Sequence, residues 1–348
     1  MNFASDNWAG AAPQIVEALG RHAAGFGAAY GASELDAAVT EKFCEIFERE
    51  VAVLLVPTGT AANALAITCA MKPGGIAIAH RGAHLVEDEC GAAEFLSGGR
   101  IEWVDGVGGR IDPVALAGHL QRYDPPFLHH GRAVALSLTQ ASEAGTVYSL
   151  DEIRELAGQA RRLGMSVHMD GARFANALVA LDASPAQMTW QAGIDLLSFG
   201  ATKNGCWCAE ALVLFDPALR ETAEYLRKRS GFLFSKSRFV AAQFEAYFAG
   251  GLWLELAAHA NAMAGQLRAA ISSGKRVRLA WPGQANEVFF VANRETEMKL
   301  QQAGARFHEW QPPHEVAAKL AENEAVFRLV ASFATSAPEV AAFAALVS

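Results

Sequence analysis

A mostly parallel sheet of seven strands flanked by helices, followed by a smaller α+β unit, is the fold class predicted by three features of the 348-residue sequence. Short aliphatic runs alternate with segments of helical periodicity through the first 245 residues. Apolar residues make up 52% of the chain and charged residues 19%, enough apolar surface to fill a large core. Beyond residue 245 the alternation gives way to one long helical stretch and two strand-like runs.

The elements follow in order. A first strand at 51–57 ends in proline and turns through Gly59 into an Ala-rich helix. Strands at 75–80, 100–104 and 133–138 are each short, apolar and bounded by turn formers or charge. From Ser149 to Leu163 the pattern is an amphipathic helix, with Leu150 and Leu156 on its apolar side and Glu152, Arg154, Arg161 and Arg162 outward. Gly164 stops it, and a strand at 166–169 follows at once, as a helix returning the chain to a parallel sheet requires. Strands at 196–199 and 211–215 complete the seven. Past Gly250-Gly251 come a helix at 252–272 and strands at 287–292 and 325–333. Neither a Pro- or Ser-rich linker nor a repeat marks a boundary.

The formal charge of −8 disfavours binding by neutralisation of nucleic-acid phosphates or an anionic membrane, and points to a small-molecule partner. No apolar run approaches the roughly 18 residues of a membrane span, and the first ten residues lack a signal-peptide pattern, so a soluble, unprocessed protein is expected. Five scattered cysteines, an odd number, fit a reducing cytoplasm better than a disulfide framework. Cys206-x-Cys208 has no partner cluster, so no metal is expected.

Three segments carry chemistry. Lys203, alone among small residues after an apolar strand, is either a Schiff-base lysine made nucleophilic by desolvation or a lysine that snorkels from a surface turn. Asp170, at the carboxyl end of a buried strand, either holds a protonated ring nitrogen of a cofactor or caps the next helix and pairs with Arg173. Gly59 and Thr60, where a strand turns into a helix, make an anion site suited to phosphate or merely a good N-cap; neither a Walker loop nor a dinucleotide fingerprint is present.

Taken together and in order, these segments change the odds. With Phe3-Ala4-Ser5-Asp6-Asn7, Ala29-Tyr30-Gly31, Gly59-Thr60-Ala61-Ala62-Asn63, Ala83-His84-Leu85 through Glu89-Cys90-Gly91, Thr139-Gln140-Ala141-Ser142-Glu143, and the runs 168–174 and 199–205, the chain resembles the pyridoxal-phosphate (PLP) aminotransferase-like enzymes of fold type I. Within these it is most similar to the threonine aldolases of the β-eliminating lyase group. The resemblance implies a PLP-binding domain over 1–245, with 1–15 packing near a small domain over 246–348.

It also implies roles. Lys203 would carry PLP as a Schiff base, Asp170 would pair with the pyridinium nitrogen, Arg173 would sit near the phenolic oxygen, and Gly59 and Thr60 would hold the phosphate. His84 matches the histidine that stacks on the ring, and its neutral imidazole is suited to accept the proton of a substrate β-hydroxyl. His129 falls near the second active-site histidine, with His130 adjacent. Arg328 and Ser5 match the residues that hold the substrate carboxylate. Lys236 and Arg238 supply phosphate charge across a subunit interface in the same resemblance, with Tyr30 also serving a neighbour's site in a homodimer or homotetramer. Asp88 stands where an aromatic is common and Asp36 near a usual threonine, which puts the β-substituent in question. The implied reaction is retro-aldol cleavage of L-threonine, L-allo-threonine and related β-hydroxy-α-amino acids to glycine and an aldehyde. The rivals are a phenylserine aldolase or another PLP lyase, and a binding or regulatory protein, against which the full Lys203, Asp170 and Arg173 set argues.

Overall fold

Alternating apolar runs and helices fold as the pattern predicts. The computed structural model describes residues 1–348, apart from the side chains of residues 314 and 315. Its main sheet comprises β1 (Ala52–Val56), β2 (Gly75–His80), β3 (Arg100–Val104), β4 (Arg132–Thr139), β5 (Ser166–Gly171), β6 (Leu196–Gly200) and β7 (Glu210–Leu214), in the order β1-β7-β6-β5-β4-β2-β3. Strands β3, β2, β4, β5 and β6 pair in parallel, while β7 runs antiparallel to both its neighbours, β1 and β6. The reason is the connection: Gly200 and Glu210 are too close along the chain for a helical crossover, which needs a dozen or more residues.

All residues of β6 and β7 are buried, as befits strands covered by helices on both faces. The helix Leu150–Arg162 starts with a reciprocal cap: Ser149 Oγ accepts from Glu152 N at 3.2 Å and Glu152 Oε2 accepts from Ser149 N at 2.7 Å. Phe199, one residue before the end of β6, is ringed by Phe43, Phe47, Phe174, Phe244, Phe248 and Trp253, with centroids 5.3–6.4 Å away. This cluster fixes the point from which the Lys203 turn departs.

A second sheet contains β8 (Arg278–Leu279), β9 (Glu287–Asn293), β10 (His308–Trp310) and β11 (Glu324–Val330), all antiparallel, in the order β10-β11-β9-β8. The N-terminal segment runs into it, Phe3 N donating to Arg306 O at 2.9 Å and Val330 N to Phe3 O at 2.8 Å. The helix Leu252–Ser273 joins both cores, with Trp253 and Ala257 in the larger and Leu267 and Ile271 in the smaller. No described helix is long and apolar enough to cross a membrane.

Candidate active site

Ligand sites of open α/β sheets lie at the carboxyl ends of the strands, and here a cavity of about 380 Å³ opens at the ends of β1, β5 and β6. Its wall includes Gly59, Thr60, Asn63, His84, Glu89, Asp170, Lys203 and Glu210. Asp170 and Lys203, 33 positions apart in sequence, thus share one chamber because β5 and β6 are parallel neighbours. At that junction the strands approach so closely that a Cβ on Gly200 would lie 2.7 Å from Ala172 Cα.

Asp170 is held by donors on both oxygens: Oδ2 accepts from Asn63 Nδ2 at 2.9 Å and Oδ1 from Ala172 N at 3.0 Å. Asn63 donates again to Glu89 Oε1 at 2.7 Å, and that same oxygen lies 2.8 Å from His84 Nδ1. A hydrogen-bonded relay therefore runs His84, Glu89, Asn63, Asp170. The bond to Glu89 raises the His84 pKa above its ordinary value, and burial raises that of Glu89. Because a carboxylate accepts at Nδ1, the proton of neutral His84 stays there and Nε2 is left as the acceptor. Under Asp170, His168 sits between two hydroxyls, Ser137 Oγ and Ser198 Oγ, each at 2.9 Å, and burial pulls its pKa down to about 4.

At the end of β1 the helix Gly59–Ala70 begins with Thr58, whose side chain accepts from Ala61 N at 3.1 Å. The amides of Gly59 and Thr60 precede the first intrahelical donor, so this end presents N–H groups to the cavity. Beside Val56, its register partner on β1, Glu210 is buried, and burial pushes its pKa up to about 7.

Arg173, which the resemblance sets near the cofactor's phenolic oxygen, follows β5 directly. Its guanidinium is absent from the wall of this chamber and is buried among carboxylates: Nε and Nη2 donate to Asp6 at 2.8 and 3.2 Å, while Nη1 lies 3.2 Å from Glu287 Oε2 and 4.0 Å from Glu143 Oε2. Burial opposes its charge and the three carboxylates outweigh that, raising its pKa. Arg328, on β11, joins the same cluster, with Nη1 3.4 Å from Glu287 Oε1 and its guanidinium 4.2 Å above the Trp310 ring. Ser5 is adjacent to Asp6 and caps the short turn Asp6–Trp8.

Four sequence-selected residues lie elsewhere in the single chain. His129 is exposed at the amino-terminal end of β4, in a groove with His130 and Gly131, whereas the chamber opens at the carboxyl ends. Tyr30, Lys236 and Arg238 group together outside the chamber, Tyr30 N donating to Ser235 O at 3.0 Å and Arg238 to Gly25 O at 3.2 Å. Asp36 is buried and forms a reciprocal cap with Ser33, while Asp88 faces a larger cavity of about 710 Å³ lined by Glu143, Trp281 and Trp310. Asn63, Glu210 and Glu287 carry roles no motif assigned. A signal existed for Asn63, the only polar residue but threonine in the run 59–70.

The family model described as Beta-eliminating lyase matches residues 2–295. A low specificity L-threonine aldolase from a Pseudomonas strain is 37% identical over 308 residues, 88% of either chain, and one from Pseudomonas aeruginosa has the same identity and coverage. Among solved structures, a threonine aldolase from Leishmania major superposes with a TM-score of 0.92 at 27% identity, covering 99% of this chain and 98% of that one.

Proposed function

This chain belongs to the beta-eliminating lyase family, and from that premise we propose that it is a PLP-dependent aldolase, a carbon-carbon lyase that cleaves L-threonine, L-allo-threonine and related β-hydroxy-α-amino acids to glycine and an aldehyde. One observation carries the reading: Lys203 and Asp170 line a single chamber with His84 and the Gly59-Thr60 helix start. The residues fit the cofactor. An amine and a carboxylate face one space, a helix start offers amides for a phosphate, and the buried atoms Asn63 Oδ1 and Glu89 Oε2 beside them lack any partner in the protein.

Bound there, pyridoxal phosphate supplies an electron sink that lets the Cα–Cβ bond of an attached amino acid break heterolytically. Lys203 would supply the amine that holds it. Asp170, kept in place by Asn63 and Ala172, would hold a proton on the ring nitrogen. Arg328 and Ser5 receive the α-carboxylate, and Arg173 anchors this side through Asp6. His84 takes the β-hydroxyl proton at Nε2 while Glu89 fixes its orientation. With that proton gone, the β-oxygen would become the carbonyl of the departing aldehyde, and one proton gained at Cα, balancing the one taken by His84, would complete glycine.

A separate cavity walled by Trp281 and Trp310, with Asp88 and Glu143 also on its wall, is where a larger β-substituent such as that of phenylserine would be placed. Exposed Tyr30, with Lys236 and Arg238 beside it, supports a homodimer or homotetramer whose sites are shared, and five unpaired cysteines support a cytoplasmic location. Incubated with PLP and L-threonine, the protein is expected to release glycine and acetaldehyde in equal amounts. A keto acid and ammonia in their place would reassign it to β-elimination.

A further inference from the structure

Five charged side chains converge where the N-terminal segment, the turns after β4 and β5, and strands β9 and β11 meet. Asp6, Glu143 and Glu287 face Arg173 and Arg328, three carboxylates against two guanidiniums. Asp6 occupies the Nε/Nη2 edge of Arg173. Glu287, whose side chain is wholly buried, lies between the remaining Nη1 of Arg173 at 3.2 Å and Nη1 of Arg328 at 3.4 Å. Even so, Arg173 Nη1, Arg328 Nε and Glu287 Oε2 are all buried without a properly aligned hydrogen bond. Three under-used polar atoms in one desolvated cluster mark the place where another polar group is received.

A further carboxylate cannot simply be added. It would bring four negative charges to two positive ones in a low-dielectric setting, which neutralisation of one acid relieves. Of the three acids, Asp6 has its pKa lowered: burial raises it, but the charges of Arg173 and Lys203 together with hydrogen bonds from Arg173 and Asn286 outweigh that. Burial pushes Glu287 up to about 7 against the opposing pull of Arg173 and Arg328, with Glu143 and Asp6 adding to the rise.

We propose that Glu287 is a positioning residue that holds Arg328 in the free enzyme and releases it by taking up one proton when the substrate's α-carboxylate arrives. The idea rests on the reading above, that Arg328 receives that carboxylate. Binding of an amino acid is then coupled to protonation of Glu287, and affinity falls as pH rises above neutrality.

The test is a spectral titration of the holoenzyme with glycine, which has no β-hydroxyl to involve His84, between pH 7 and 9. For wild type relative to Glu287→Gln, the ratio of Kd values is expected to grow with pH, approaching about ten-fold per unit. A ratio that stays flat, or a Glu287→Gln variant that binds more weakly throughout, overturns the proposal. Should that variant not fold, calorimetry of wild type in buffers of different ionisation enthalpy counts protons directly. Corrected for each amine's own ionisation, glycine should take up more protons than glycinamide, which lacks the carboxylate, and equal counts overturn the idea. An Arg328→Ala variant separates the two claims. Glycine affinity at least ten-fold weaker with glycinamide unaffected supports the carboxylate assignment, whereas unchanged glycine affinity removes that assignment whatever Glu287 does.

Discussion

His84 makes its closest polar contact with a carboxylate that is itself buried, and this fixes how its titration governs the reaction. Neutral imidazole is the form that accepts a proton, and Glu89 raises the pH at which that form appears. Replacing Glu89 with glutamine removes the charge but leaves a hydrogen-bonding group, so the His84 pKa falls. The acid limb of the kcat/KM profile for L-threonine therefore moves to lower pH, and an unmoved limb would detach His84 from the proton transfer. At this scale Asp170, Lys203, Gly59 and Thr60 were legible because each follows a predicted strand, and His84 because it, Ala83 and the run Glu89-Cys90-Gly91 match the family pattern. Glu210 and Glu287 were not: a glutamate opening an apolar strand reads as a solvated strand end, and only the tertiary packing shows that water is excluded from it. Arg173 was legible as a residue and not as a contact, since its partners Asp6 and Glu287 are remote in sequence.

Between elements, the decisive feature is the close approach of β5 and β6 at Gly171 and Gly200. A Cβ on Gly171 would lie 2.8 Å from Ser198 O, and one on Gly200 would meet Ala172 backbone atoms at 2.7 Å. Both contacts are to backbone, which cannot swing aside. Gly200→Ala is expected to cost roughly 1–3 kcal/mol of stability and to push the Lys203 turn away from Asp170, so that the variant loses PLP more readily on dialysis. Unchanged thermal stability together with full cofactor retention would show that the junction is looser than these distances require. The seven main strands were readable from short apolar runs. The direction of β7 was implicit in its short link to β6, whereas β8 and β10, two and three residues long, carry too little pattern to stand out.

At the scale of the whole molecule, the single chain leaves several sequence-selected residues away from the chamber. Tyr30, Lys236 and Arg238 lie together outside the chamber, and His129 is exposed at the far end of β4. Only the family resemblance singled these four residues out, and nothing in the single chain brings them to the chamber, which is why they were the least legible. Light scattering on the eluting holoenzyme is expected to give the mass of a dimer or tetramer, and a monomer with full activity would rule out shared sites. The central claim is narrower, that Lys203 holds pyridoxal phosphate within reach of Asp170. Borohydride reduction of the yellow holoenzyme followed by peptide mapping tests it most directly: the account predicts a phosphopyridoxyl group on Lys203, and a label on any other lysine, or none, would contradict it.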